Sequence, residues 1–92
     1  MQFKWDQRKA SINARKHRVE FPDAVAVFFD PHARIFPDPD HSDTEEREII
    51  VGYDAAARLL VVSFVERHGN VRIISARRAT TNEANAHENY VK

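Results

Sequence analysis

The chain has 92 residues, 42% hydrophobic and 30% charged, with zero formal net charge and no cysteine. This size gives a single domain, 1–92, and the absence of cysteine excludes a disulfide framework. No apolar run approaches the roughly 18 residues of a membrane span and no secretory signal follows the first basic residues, so we expect a cytoplasmic protein without a membrane partner.

The N-terminal part begins with a predicted strand and helix. FKW, residues 3–5, is typical of a short strand, and Asp6 is a suitable N-cap for a helix over residues 7–17. Asn13 and His17 share one side of that helix with two alanines. We interpret both as hydrogen-bonding residues at a contact between helix and sheet, the alternative being that they are ligands.

A second helix and an acidic loop follow. Pro22 favours a helix start, and the helix continues until Asp30 and Pro31 end it. Its predicted buried residues are Ala24, Val25 and Phe28. PDPDHSDTEERE, residues 37–48, has two prolines and six acids, which predicts an exposed loop. The loop lacks the glycine and the terminal glutamate of a familiar calcium-binding loop.

The second half predicts a three-stranded antiparallel meander and a last helix. Residues 47–53, 59–67 and 71–77 are apolar strand patterns, and the segments between them are short enough for hairpins. Thr80 and Glu83 have the spacing of a capping box, so a polar helix closes the chain. The predicted fold is α+β with the order β-α-α-β-β-β-α, in which the first two helices cover one face of the sheet.

Alternation along the strands gives this sheet two unequal faces. If His68 and Gly69 form the turn, Arg67 pairs with Asn70. One face is then apolar and meets the first two helices: Leu60, Val62, Phe64, Val71 and Ile73. The opposite, open face carries Val61, Ser63, Val65, Arg67, Arg72, Ile74 and, if the alternation persists, Arg78.

The arginines of the open face have two interpretations. Arginines above small and β-branched residues suit the binding of a phosphate backbone. Alternatively, they cover apolar edges and pair with carboxylates such as Glu66 or Glu88.

Charge is distributed unevenly along the chain. Residues 4–18 carry six basic groups against one acid, residues 20–48 carry nine acids against two arginines, and the remainder has six basic groups against four acids. Such separate regions permit two different charged partners. Alternatively, the two regions neutralise one another on one surface.

Common cofactor and nucleophile patterns are missing from the sequence. The five histidines include no pair three or four residues apart, and there is no thiolate, so a zinc site is not expected. Gly52 and Gly69 are the only glycines and cannot build a phosphate-binding loop. Ser63 has no evident histidine and acid partners. We therefore expect neither a metal nor a cofactor.

Several motifs together resemble the BrnT toxins of bacterial type II toxin-antitoxin systems. They span nearly the whole chain: FKWD, Asn13, KH at 16–17, EER at 45–47, RLLVV at 58–62, ER at 66–67 and RIISARRAT at 72–80. RIISAR with the upstream WD is a fairly specific combination. The chain departs from the family where Arg18, Ala84 and His87 replace a frequent glycine, basic residue and tyrosine, and Tyr90 comes later.

The resemblance implies a RelE-like fold, an endoribonuclease that inhibits translation, and neutralisation by a BrnA antitoxin. It further implies that the antitoxin has a ribbon-helix-helix domain and that the complex contains two toxins and two antitoxins. In this complex, the antitoxin makes the contacts to operator DNA. The motif arginine carried over to this sequence is Arg77, with Arg72 before it and Glu66 and Arg67 on the preceding strand.

RNA cleavage without a metal needs activation of a 2′-hydroxyl, stabilisation of charge on the phosphate, and a proton for the leaving oxygen. Arginine suits the second task because it is always protonated and its planar fork holds two phosphate oxygens. Glu66 or His87 can supply the proton transfers. The catalytic candidates are Arg72 and Arg77, followed by Arg78, Arg67 and Glu66. The basic first helix adds RNA-binding candidates: Arg8, Lys9, Arg15 and Lys16.

Two alternatives stay open at this level. Alternation places Arg72 and Arg78 on the open face and turns Arg77 toward the helices, whereas the family motif favours Arg77. A strand end or bulge near Ala76 would reconcile the two. The alternative function is a non-enzymatic module whose open face binds a partner chain through these arginines.

Overall fold

The computed structural model describes residues 1–38 and 46–91. Most of the predicted acidic loop, with Asp40 and Asp43, lies outside the described residues. The elements follow the chain as β1 (Gln2–Lys4), α1 (Gln7–His17), α2 (Phe21–Val25), a 3-10 helix (Ala26–Phe29), β2 (Arg34–Pro37), β3 (Arg47–Tyr53), β4 (Leu59–Arg67), β5 (Asn70–Arg78) and α3 (Thr81–Val91). Among the described residues, no helix has the length and apolar character needed to span a membrane.

The fold is α+β, with a five-stranded mixed sheet in the order β1-β5-β4-β3-β2. The predicted antiparallel meander is confirmed as β3, β4 and β5, and Arg67 pairs with Asn70 as expected from the turn. The predicted order omits β2, which adds to the edge of β3 in antiparallel pairing. β1 pairs in parallel with the start of β5, from the opposite edge.

Helix α1 begins and ends at the predicted residues. The Asp6 side chain accepts a hydrogen bond from the Arg8 amide at 3.3 Å, as an N-cap does. The helix stops at Arg18, which adopts the left-handed conformation with φ 59°. Glycine is the residue that adopts such a conformation without steric cost, so an arginine here is unfavourable.

Asn13 fastens α1 to the edge of β5, where β1 no longer pairs. Its Nδ2 donates to the carbonyls of Val19 and Ala76 at 2.9 and 2.8 Å, and its Oδ1 accepts from the Ala76 amide at 3.0 Å. The carboxamide thus takes the place of a neighbouring strand's peptide group. The interpretation of Asn13 as a hydrogen-bonding residue between helix and sheet is confirmed, whereas that of His17, which is half-buried, stays a prediction.

The predicted second helix is two short helices. The α-helical turns end at Val25, and the chain continues as a 3-10 helix to Phe29. Side chains three residues apart lie on the same side of a 3-10 helix, so Val27 follows Ala24 into the core. Ala24 is buried as predicted, whereas Val25 and Phe28 are only partly buried against the core.

The core lies between these helices and one face of the sheet. The five residues predicted for the helix-covered face are all at most 3% exposed: Leu60, Val62, Phe64, Val71 and Ile73. We call this the helix face and keep the name open face for the opposite side. Phe28 joins the layers because its ring lies 5.1 Å from that of Phe3 and 5.0 Å from that of Phe64.

Candidate functional site

A β-bulge in β5 decides which arginine reaches the open face. Phe64 pairs with Ile73, but the next pair is Ser63 with Ser75, so Ile74 is the extra residue on β5. A bulge of this kind reverses the alternation of side chains beyond it. The bulge reconciles the alternation argument, which favoured Arg78, with the family motif, which favours Arg77. It lies at Ile74, two residues before the predicted position near Ala76.

The residues beyond the bulge have exchanged faces. Ala76 pairs with Val62 in the core, and Arg77 therefore shares the open face with its partner Val61. Arg78 pairs with Leu60, whose side chain is fully buried on the helix face. The predicted placement of Arg78 on the open face is thus wrong, because the extra residue shifts the alternation by one position.

A row of residues crosses the basic end of the open face. Lys4 pairs with Arg72, Arg72 with Val65, and Val65 with Arg47. A hollow of about 330 Å³ lies here and is lined in part by Lys4, Arg67 and Arg72. The structure therefore brings together two of the predicted arginines, Arg67 of β4 and Arg72 of β5, and adds Lys4 of β1.

Arg77 lies at the other end of the open face and is paired with Glu83 of α3. Two hydrogen bonds join the side chains, Nη1 to Oε1 at 2.8 Å and Nη2 to Oε2 at 2.9 Å. Glu83 also completes the predicted capping box, since its Oε1 accepts from the Thr80 amide and its own amide donates to Thr80 Oγ1. The Arg77 guanidinium is the main cause that lowers the pKa of Glu83 to about 2.

Helix α3 covers this end of the open face and encloses a cavity of about 180 Å³. Its lining combines residues of α3 and Arg77 with residues of β2, β3 and β4. His87 lines the cavity and is 4% exposed, and its buried Nε2 has no hydrogen-bond partner within residues 1–38 and 46–91. Its ring packs edge-on against Tyr53 at 5.7 Å.

The two ends are connected by a strip of small polar residues. Ser63 and Ser75 pair across β4 and β5, and both are half-buried on the open face. The backbone positions that carry Arg72 and Arg77 lie opposite Val65 and Val61, about 13 Å apart along β4 at the usual rise per residue. The open face is thus a continuous surface with cationic groups at both ends.

The remaining predicted site residues do not lie on the open face: Glu66 belongs to the helix face, and the basic residues belong to α1. Glu66 pairs with Val71 of the helix face and is exposed, so it does not join the arginines. In α1, Lys9 and Lys16 line a hollow beside the bulge, whereas Arg8 and Arg15 are exposed elsewhere on the helix.

Cationic residues of this surface that were not predicted as site residues from the sequence include Lys4, Arg34 and Arg47. Lys4 lies next to Arg72, and Arg34 lies at the rim of the cavity with its guanidinium carbon 4.4 Å from the centre of the Tyr90 ring. Alternation with the partly buried Phe3 would have placed the Lys4 side chain on the open face. Arg34, in contrast, belongs to a strand that has no clear sequence signal. Within residues 1–38 and 46–91, no cluster of acidic or histidine side chains is arranged to hold a metal ion.

Comparisons with known proteins agree with this architecture. Residues 5–83 match the family described as "Ribonuclease toxin, BrnT, of type II toxin-antitoxin system". The crystal structure of the Brucella abortus ribonuclease toxin BrnT superposes with a TM-score of 0.70 at 25% sequence identity, covering 88% of this chain and 99% of that one. No curated protein sequence matches the chain. The chain therefore belongs to the BrnT family of ribonuclease toxins of type II toxin-antitoxin systems.

Proposed function

We propose that this toxin is a metal-independent endoribonuclease of RelE-like type that binds RNA across the open face and inhibits translation. The observation that carries the proposal is the bulge at Ile74, which turns Arg77 to the same face as Arg72 and Arg67. Helices α1 and α2 leave this face uncovered. Where α3 covers the Arg77 end, the Arg77 side chain is still 39% exposed, so an extended RNA strand has access to both ends of the face.

Arginine is suited to the charge that develops during cleavage. Attack of a ribose 2′-hydroxyl on the adjacent phosphorus forms one bond, breaks the bond to the 5′-oxygen and leaves a cyclic phosphate. A preorganised donor at the phosphate oxygens contributes roughly 3 kcal/mol to such a transition state. Because Arg72 and Arg77 start about 13 Å apart along the strands, we assign them to different phosphates of one RNA strand.

Neither of the two proton-transfer candidates predicted from the sequence is available on the open face as the structure stands. Glu66 belongs to the helix face, and the Nε2 atom of His87 is shielded from solvent. We therefore assign the rate acceleration mainly to the arginines and to the alignment of the 2′-hydroxyl in bound RNA. Weak acid and base groups are sufficient when the substrate is held in line for attack.

The basic side chains of α1 extend the proposed RNA contact. Lys9 and Lys16 stand beside Ile74 and Ser75, at the edge of the sheet that leads onto the open face. Arg8 and Arg15 are proposed as outer contacts to the phosphate backbone. Since each phosphate contact releases counterions, RNA affinity is expected to fall steeply with salt.

Family membership implies an antitoxin partner. We propose a BrnA-like ribbon-helix-helix antitoxin, in a complex of two toxins and two antitoxins that contacts operator DNA only through the antitoxin. Co-purification followed by light scattering tests the partner and its stoichiometry, and a mass that fits one toxin bound to one antitoxin would contradict the proposed assembly.

Purified toxin, freed of antitoxin, should cleave single-stranded RNA or translating mRNA in the presence of EDTA and leave 2′,3′-cyclic phosphate ends. The Arg72→Ala, Arg77→Ala double variant should lose this activity while its unfolding temperature shows that it still folds. Normal cleavage by the folded double variant would falsify the site assignment, and cleavage that requires a divalent cation would overturn the metal-independent mechanism.

A further inference from the structure

The cavity under α3 has the size and lining of a site for one flat ring system. Its volume is about 180 Å³, and engineered apolar cavities of about 150 Å³ accept benzene. The walls and floor are mostly apolar: Phe36, Ile49, Val51, Val61 and Ala86. Phe36 is 38% exposed, so an aromatic surface is available for stacking by an incoming ring.

His87 gives this cavity a hydrogen-bonding group that none of the described residues satisfies. The residue is only 4% exposed, and the Nε2 atom of its ring is buried without a partner among the described residues. A buried polar atom without a partner is unfavourable, and native proteins nearly always satisfy such atoms. Nε2 is shielded in this structure, so the His87 ring has to turn toward the ligand before a polar ring edge can supply the missing hydrogen bond.

The rim of the cavity is cationic. Arg34 stacks on Tyr90 at one side, and Arg77 with its partner Glu83 lies at the other. A ligand that suits this arrangement has a flat ring with hydrogen-bonding edges and carries a phosphate next to it. An unpaired nucleotide of RNA has these properties, and proteins bind such bases by stacking and by hydrogen bonds to their edges.

We propose that the cavity between α3 and the open face binds one unpaired nucleobase of the RNA, whose adjacent phosphate contacts Arg77. This inference rests on the proposed function and deepens it, because it assigns a base-recognition site next to the phosphate-binding arginine. His87 contacts the base, and the apolar walls exclude water around it. The toxin therefore prefers certain bases at one position of its substrate.

The test compares the four nucleoside 3′-monophosphates with ribose 5-phosphate, which carries a phosphate but no base. NMR of the full-length toxin follows the methyl groups of Val51 and Val61 and the ring of His87. At least one nucleotide should bind about tenfold more tightly than ribose 5-phosphate, as expected for one stacked base, and should shift these signals. Equal affinities, or no shift of the cavity signals, would overturn the inference.

A cavity-filling variant and a matched control locate the effect. Ala86→Leu adds bulk at the cavity and should reduce nucleotide affinity to that of ribose 5-phosphate. Asn85→Leu adds similar bulk at an exposed position of α3 that does not line the cavity and should keep the nucleotide preference. Equal losses in both variants would contradict a base site in this cavity.

The outcomes separate this inference from the proposed function. A wild-type toxin that cleaves RNA but shows no base preference in binding retains the function and loses the base site. A toxin that binds nucleotides in the cavity but cleaves no RNA retains the base site and loses the function. Cavity signals that respond to purified antitoxin but to none of the nucleotides would instead assign the cavity to a protein side chain.

Discussion

Arg77 and Glu83 face each other through two parallel hydrogen bonds of 2.8 and 2.9 Å, which join the end of β5 to the first turn of α3. Two-pronged pairs of this kind are the strongest arrangement of arginine and carboxylate. The arginine proposed for phosphate contact therefore also anchors the helix that covers one end of the open face.

The ion pair predicts a dependence of stability on acid pH. Arg77 lowers the pKa of Glu83 from 4.5 to about 2, so the ionised carboxylate stabilises the folded state above pH 4.5. That contribution should be lost as the pH falls from about 4.5 to about 2, and it should amount to about 1 kcal/mol or less because both side chains are more than a third exposed.

Urea unfolding at several pH values measures this effect. Glu83→Gln should flatten the dependence between pH 4.5 and 2, whereas Glu88→Gln, an exposed glutamate of the same helix, should leave it unchanged. If the free energy of unfolding has the same pH dependence in wild type and in Glu83→Gln, the ion pair does not stabilise the fold.

Asn13 is predicted to be a sensitive polar residue of the fold. Asn13→Ala removes three hydrogen bonds and leaves buried backbone groups of Val19 and Ala76 without partners, so the free energy of unfolding should fall by about 2–3 kcal/mol. Asn85→Ala, on an exposed helical position, should change it by about 0.5 kcal/mol or less. Chemical denaturation of both variants checks the contrast, and similar small changes would contradict the role of Asn13.

Arg18 is predicted to be a strained helix end. Its φ of 59° is unfavourable for a residue with a side chain, so Arg18→Gly should raise the free energy of unfolding by about 1 kcal/mol. The hydrogen bond from Arg58 survives, since it goes to the Arg18 carbonyl. Arg15→Gly, inside α1, should instead lower stability by about 1 kcal/mol. Destabilisation of similar size in both variants, measured by urea unfolding, would rule out relief of strain.

Local signals explain how much of the fold could be predicted from the sequence. Asp6, the HGN turn and the pair Thr80 and Glu83 are short-range patterns, and each holds in the structure. β2 was missed because it is short, exposed throughout and ends at Pro37, which suits only an edge strand. The pairing of β1 with β5 joins distant parts of the chain and has no local sequence signal.

The site was harder to predict because it depends on one irregular residue. Nothing in the apolar sequence around Ile74 indicates a bulge, since no glycine or proline marks it. Regular alternation therefore exchanged Arg77 and Arg78, and only the family motif favoured Arg77. The cavity under α3 also involves Arg34 and Phe36 of β2, so its composition could not be read without that strand.

The central claim is that the bulge presents Arg77, and not Arg78, to the RNA. Arg77→Ala and Arg78→Ala remove the same charge from neighbouring residues on opposite faces of the sheet. Glu83→Gln is the control for the ion pair because it breaks the pair but keeps the arginine. It should therefore retain far more cleavage than Arg77→Ala.

The deciding measurement is the rate of RNA cleavage by these two alanine variants under identical conditions in EDTA. We expect Arg77→Ala to lose about a hundredfold or more in rate, as for removal of one preorganised donor, and Arg78→Ala to stay within a few-fold of wild type. Equal losses in the two variants, or a larger loss in Arg78→Ala, would contradict the placement of the active surface on the open face.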